Sequence, residues 1–269
     1  MVLRRTDGGW ETYYTQPQGG PNLHLTGFPG GDLLLYGAIR CGIVTLPSGA
    51  PHCSAGLSSL AGDLFVAGDG NAYAVNNDRI LTYSNGHWSQ LLGGLSWNEA
   101  PPGTAQYPQG WAIWADGVTI ATAVIGGPVF VSREGSLFNE DTPLPLDRYR
   151  VVWGLDGHQL WVGGAGGELF SKDERGWTDR GSVVDSCGTG IKGFWGARST
   201  LYAHAEHRLV RVDNEIEPVL EVPCTQTIRG IWGNSESEVF AVVEDETKRQ
   251  SACGAVTLLR VRGRVVEAI

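Results

Sequence analysis

The chain has 269 residues, enough to bury a large core in one all-β domain. Glycine (39) and tryptophan (10) are abundant and charged residues make up only 18%, which suits short strands and tight turns and argues against a chain of long solvated helices. A net charge of −9 argues against nonspecific nucleic-acid binding, which needs a basic footprint, and no run of about 18 apolar residues offers a transmembrane helix.

In chain order, Val2-Leu3-Arg4-Arg5-Thr6, Asp7-Gly8 and Gly9-Trp10-Glu11-Thr12-Tyr13-Tyr14 predict a hairpin with an Asp-Gly turn. No apolar stretch follows the arginines, so no secretory signal is read. The expectation is a cytoplasmic protein if this N-terminus is native, and a secreted one if a leader has been removed. A first strand-rich unit runs through 23–28, 33–36 and 42–45. A second takes 57–60 as its first strand, 64–68 as its second and 72–75 as its third, then a hairpin over 83–88. A third covers 111–114, 118–121 and 129–131.

The next three units align by eye. Val152-Trp153-Gly154, Phe194-Trp195-Gly196 and Ile231-Trp232-Gly233 each precede a short polar turn and a second strand. The Trp-to-Trp spacings are 42 and 37 residues, near the period of a propeller blade. Each unit continues into third and fourth strands joined by Asp, Asn and Gly turns, as at Asp173–Gly176 and Asp213–Glu215. The fold expectation is a single all-β domain over 1–269, a β-propeller of four-stranded antiparallel blades. Six units are readable, and the N-terminal hairpin makes seven positions, one incomplete, the favoured count. Because Trp153, Trp195 and Trp232 recur at one repeat position, they are expected to pack between blades. Asp63, Asp116 and Asp156 are expected as turn formers.

The run Val152-Trp153-Gly154, Leu160-Trp161-Val162-Gly163-Gly164 and Gly176-Trp177 resembles a bacterial propeller repeat with a W-G…D-V-W-A-V-G pattern. Ile231-Trp232-Gly233-Asn234-Ser235-Glu236-Ser237-Glu238-Val239-Phe240-Ala241-Val242 fits it closely. The repeat is distantly similar to the Asp-box propellers of sialidase-like proteins. Ser171-Lys172-Asp173 matches the start of that box, while Gly176 and Trp177 fall one position off. The likeness covers 149–243 and fades before 110. It implies a fold rather than an activity, and no motif marks the arginine cluster that sialidase chemistry needs.

Candidate chemistry is sparse. His204, Glu206 and His207 fall between second and third strands, where they form either a solvated polar turn or a divalent-metal site. Of five cysteines none forms a C-x-x-C pair; Cys41 with Cys53, and Cys187 with Cys224, are candidate disulfides, and Cys253 is an alternative partner for Cys224. The glycine run 163–167 joins two strands and is expected as a tight turn, not a phosphate cradle. The segment 95–111 is long for a connection and rich in Pro, Gly and aromatics. Trp97, Tyr107 and Trp111 are its candidate ligand-binding residues, either stacking on a partner or folded over the rim.

No catalytic motif is found, and no cofactor is indicated beyond that candidate metal. The leading expectation is a non-catalytic recognition or scaffold module that binds a protein or a glycan through face loops. The alternative is a hydrolase or lyase with its site at the channel mouth.

Overall fold

The computed structural model describes 63–76, 79–84, 87–93, 110–124, 129–133, 136–140, 143, 149–155, 159–248 and 256–269, plus the backbone of the strands before residue 54. Almost all of it is strand. Val2–Thr6 (β1) and Gly9–Tyr14 (β2) pair as the expected hairpin. The remaining strands among the described residues form four-stranded antiparallel meanders, each with its strands in chain order. The first is Leu23–Gly27 (β3), Leu33–Gly37 (β4), Ile43–Leu46 (β5) and His52–Cys53 (β6). The second is Leu64–Val66 (β7), Ala72–Asn76 (β8), Arg79–Ser84 (β9) and His87–Gly93 (β10). The third is Gly110–Ala115 (β11), Thr119–Val124 (β12), Val129–Arg133 (β13) and Ser136–Glu140 (β14). The fourth is Tyr149–Leu155 (β15), Gln159–Gly164 (β16), Glu168–Asp173 (β17) and Gly176–Ser182 (β18). The fifth is Gly193–Ala197 (β19), Thr200–His204 (β20), Arg208–Val212 (β21) and Ile216–Glu221 (β22). The sixth is Gln226–Ser235 (β23), Glu238–Asp245 (β24), Val256–Arg262 (β25) and Val265–Ala268 (β26).

Burial falls from the first two strands of a sheet to the last. All five residues of β20 are buried, whereas β26 is exposed throughout. The second strand is covered on both faces because the cores lie between neighbouring sheets. One cluster joins Val151, Leu155 and Trp161 to Phe194, Leu201 and Val210, and the next joins Tyr202 and Leu209 to Ile228, Val239 and Ala241. Each buried Val, Leu or Ile contributes about 1.5–3 kcal/mol, so stacking sheets face to face is what makes each one stable.

The Trp-Gly pairs explain how sheets approach so closely. A Cβ on Gly154 would lie 2.3 Å from the ring of Trp114, and one on Gly233 would lie 2.6 Å from the ring of Trp195. On Gly196 it would meet Trp153 Nε1 at 2.9 Å. The indole of one sheet therefore sits on the bare glycine backbone of the next. Trp153 and Trp195 are packed as expected. Trp232 departs from the expectation: it is 42% exposed and stacks on Phe240 of its own sheet, with centroids 5.5 Å apart.

Turn chemistry follows the expectation at Asp116 and Gly167, whereas Asp63 leads into the first strand β7 rather than a second strand, its Oδ1 accepting from the Leu64 amide at 2.8 Å. Asp116 Oδ1 accepts the amides of Val118 (2.9 Å) and Thr119 (2.7 Å). Gly167 turns the glycine run with φ +92°, its amide donating to Gly164 O at 3.1 Å. Asp156 lies outside the described residues. The second sheet is framed differently from the expectation. Residues 57–60 lie outside the described residues, and Leu64-Phe65-Val66 is the first strand rather than the second. The turn 67–71 follows it, with Gly70 at φ +83°. Among the described residues no helix is long and apolar enough to cross a membrane.

Candidate functional site

The starts of the first strands converge on a cavity of about 620 Å³. Its wall draws on β7, β11, β15, β19 and β23, including Phe65, Ile113, Trp153, Phe194 and Ile231. Arg150, Lys192 and Arg229 line it too, and each stands three residues before the repeat tryptophan of its sheet. One repeat position thus delivers three cations to one opening.

Carboxylates that do not line the cavity hold two of these cations, Lys192 and Arg229. Lys192 Nζ is 2.9 Å from Glu206 Oε1. Arg229 Nε is 2.5 Å from Glu244 Oε2 and its Nη2 is 3.0 Å from Glu246 Oε1. Lys192 is 48% exposed at its side chain, so its remaining N–H groups stay open to an acceptor.

His204 also lines the cavity. It is buried, and its Nδ1 lies 3.0 Å from Ala205 O, which assigns the proton to Nδ1 and leaves Nε2 as an acceptor. Burial lowers its pKa to about 4; the Ala205 carbonyl works against that and Lys192 adds to it. The ring fits because residue 193 is glycine: a Cβ there would lie 2.6 Å from Nε2.

Behind the opening, Asp185 ties the connections together. It accepts hydrogen bonds from the amides of Cys187 (3.0 Å), Thr189 (2.9 Å) and His207 (2.9 Å), and from the Thr189 hydroxyl. Burial would raise its pKa, but the hydrogen bonds from Thr189, His207 and Cys187 outweigh it and hold the carboxyl below the ordinary value. His207 places Nδ1 2.6 Å from Gln226 O, and Ile228 donates to Glu206 O at 2.6 Å. Cys187 and Cys224 are joined in a disulfide with a Cα–Cα distance of 6.0 Å. It pins the segment before β19 to the segment before β23, the two that deliver Lys192 and Arg229.

The 205–207 segment is therefore a turn, as expected, but not a solvated one, since His204 and His207 are each only 5% exposed. Among the described residues no group of three or more His, Cys, Asp and Glu side chains is placed to hold a metal ion. Trp97, Tyr107, Cys41 and Cys253 lie outside the described residues. Trp111 and Cys53 are described only as backbone, in β11 and β6. The sequence reading missed Arg150, Lys192 and Arg229. The signal available was their shared offset from the tryptophans.

No family model matches the chain, and no curated protein matches it in sequence. Solved structures do match its shape, and they are β-propeller-like. Virginiamycin B lyase from Staphylococcus aureus is 13% identical, with TM-score 0.66 over 91% of this chain and 82% of its own. YCF48 from Cyanidioschyzon merolae is 12% identical, with TM-score 0.57 over 88% of this chain and 81% of its own. A chain from a nidogen/laminin complex is 12% identical, with TM-score 0.56 over 92% of this chain and 91% of that one. At these identities the likeness concerns the fold: all-β and propeller-like, built of four-stranded antiparallel sheets.

Proposed function

We propose that this protein is a non-catalytic recognition module that takes an acidic segment of a partner protein at the cavity mouth. The observation that carries the proposal is the repeat-position set Arg150, Lys192 and Arg229 around an opening with apolar walls. Lys192 and Arg229, fixed by carboxylates, are pre-organised for a second acceptor, and the apolar wall gives a peptide its anchor. Among the propeller-like neighbours, the nidogen/laminin complex supports the reading, because there a fold of this kind is seen with a protein partner. The segment 94–109 joins β10 to β11, whose residues line the cavity, so Trp97 and Tyr107 are proposed at its rim. The test is fluorescence anisotropy with a labelled hexaglutamate peptide. Affinity should fall about tenfold for each cation replaced by alanine, and should fall with salt. Equal affinity for the triple variant Arg150→Ala/Lys192→Ala/Arg229→Ala would sink the proposal.

The same proposal takes the chain as one propeller domain. Among the described residues Trp232 has no glycine seat of the kind that Trp114, Trp153 and Trp195 have, and Thr26-Gly27 in β3 stands where Trp-Gly stands in the fourth, fifth and sixth sheets. We infer that Trp232 closes the ring on Gly27, giving six blades with the β1–β2 hairpin outside the count. Gly27→Ala should then lower stability as Gly233→Ala does; no effect would contradict closure there.

One observation favours a second reading, an enzyme at the same mouth. His204 presents a neutral imidazole to the cavity, and one neighbour of the same fold is a lyase. Quinupristin, present with another structure of that lyase, is a ready probe. Unaltered chromatographic retention of quinupristin after incubation with the protein removes that route.

A further inference from the structure

The opposite ends of the same strands carry a second cavity, of about 630 Å³. It is walled by the turns that join first to second and third to fourth strands, whereas Ala165, on the mouth cavity, lies in the turn joining a second strand to a third. Three sheets contribute, through Gln159 and Arg180, through Tyr202, Arg211 and Asp213, and through Glu236.

Arg180 is the unusual residue. Its Nε donates to Ser171 Oγ at 2.8 Å, and its guanidinium carbon sits 5.4 Å from the centre of the Trp161 ring. These two contacts fix the plane of the fork, yet among the described residues no carboxylate pairs with it. A planar cation held by one nitrogen and one face keeps its terminal nitrogens for an outside carboxylate.

The rest of the wall sorts the ligand class. Trp161 and Tyr202 are each only 2% exposed, so the cavity offers no apolar socket of the kind a peptide side chain needs. It offers planar polar groups of both kinds. Asp213 is held 2.6 Å from Arg211 Nη2 and is 39% exposed. Glu236 accepts from the amide and hydroxyl of Ser199 at 3.1 and 3.3 Å, and its carbonyl accepts from the Tyr202 hydroxyl at 3.0 Å. Gln159 and Asn214 each supply a donor and an acceptor. Alternating donors and acceptors suit vicinal hydroxyls, and the Arg180 guanidinium suits a carboxylate among them. The volume falls within the usual range for small-ligand sites, about 300–1,000 Å³.

We propose that this cavity binds a uronic-acid oligosaccharide, with Arg180 on the carboxylate and Gln159, Asp213 and Asn214 on the hydroxyls. The proposal does not depend on the mouth, which lies at the other strand ends. The test is calorimetric titration of the full chain with trigalacturonate, with neutral maltotriose alongside. Trigalacturonate binds, and maltotriose binds about tenfold more weakly or not at all. Arg180→Ala and Arg180→Lys both lose about tenfold, because lysine keeps the charge but not the fork. Asp213→Asn, on an exposed turn, weakens binding without unfolding. Absence of binding by the folded wild type overturns the proposal. So does equal affinity for maltotriose, or an Asp213→Asn and an Arg180→Lys variant that are both folded and both bind as the wild type does.

Discussion

Replacing Gly154 with alanine places a new carbon 2.3 Å from Cη2 of Trp114, and within 2.5 Å of two more ring carbons. Carbon atoms rest about 3.5–4.0 Å apart, so the indole must retreat by more than ~1 Å. It has little room, being packed among Ala112, Ala121, Val152 and Val162, the last two from the sheet that carries residue 154. Overpacking of this kind costs about 1–3 kcal/mol. At about 2–4 °C per kcal/mol for chains near this size, the midpoint of thermal unfolding should fall by roughly 2–12 °C. Gly230→Ala is the control, because nothing lies within 4 Å of its added carbon. It should stay within about 0.5 kcal/mol of the wild type. Circular dichroism melts of both variants measure the difference. Trp114→Phe combined with Gly154→Ala should lose less than the sum of the two single changes, since the smaller ring relieves the clash. A Gly154→Ala protein that melts with Gly230→Ala would refute the indole-on-glycine seat as the contact that sets sheet spacing.

Three further outcomes follow from the site. Burial holds the His204 pKa at about 4 in the folded chain against 6.5 for the ordinary group, so the unfolded chain takes up the proton first as pH falls. The resulting stability is complete above pH ~6.5 and is lost towards pH ~4, on the order of 3 kcal/mol; melts at pH 7 and 4.5 should show the loss, and His204→Gln should shrink it. Opening the Cys187–Cys224 disulfide releases a loop of sequence separation 37 and should cost about 3–4 kcal/mol on chain-entropy grounds; an unfolding midpoint unmoved by dithiothreitol contradicts that. Because the same bond pins the segments that deliver Lys192 and Arg229, Cys187→Ser should also weaken hexaglutamate binding in protein that remains folded, and unchanged affinity would separate the mouth from the bridge.

The later sheets were legible because their signals were local. Trp153-Gly154, Trp195-Gly196 and Trp232-Gly233 mark first strands, and Asp or Gly turns mark the outer hairpins, as at Gly176 with φ +114°. The second sheet was misframed because Phe65 stands where the later sheets have tryptophan. Its ring still reaches Trp153, with centroids 5.4 Å apart, but no Trp-Gly pair advertised the strand. The burial of His207 was not legible. It arises from Asp185 and Gln226, each about twenty residues away, and a polar turn between strands is ordinarily solvated. Arg150, Lys192 and Arg229 read as outward-facing strand residues until the sheets are arranged around one opening. The exposure of Trp232 is likewise a property of its place in the order of sheets, since its own motif matches the others.

The most direct test of the recognition proposal is a crystal structure of the protein with the hexaglutamate peptide bound. The proposal predicts peptide carboxylates about 3 Å from Lys192 Nζ and the Arg229 guanidinium, with the chain crossing the opening between β15 and β23. A peptide seated elsewhere, making no contact with Arg150, Lys192 or Arg229, would contradict it.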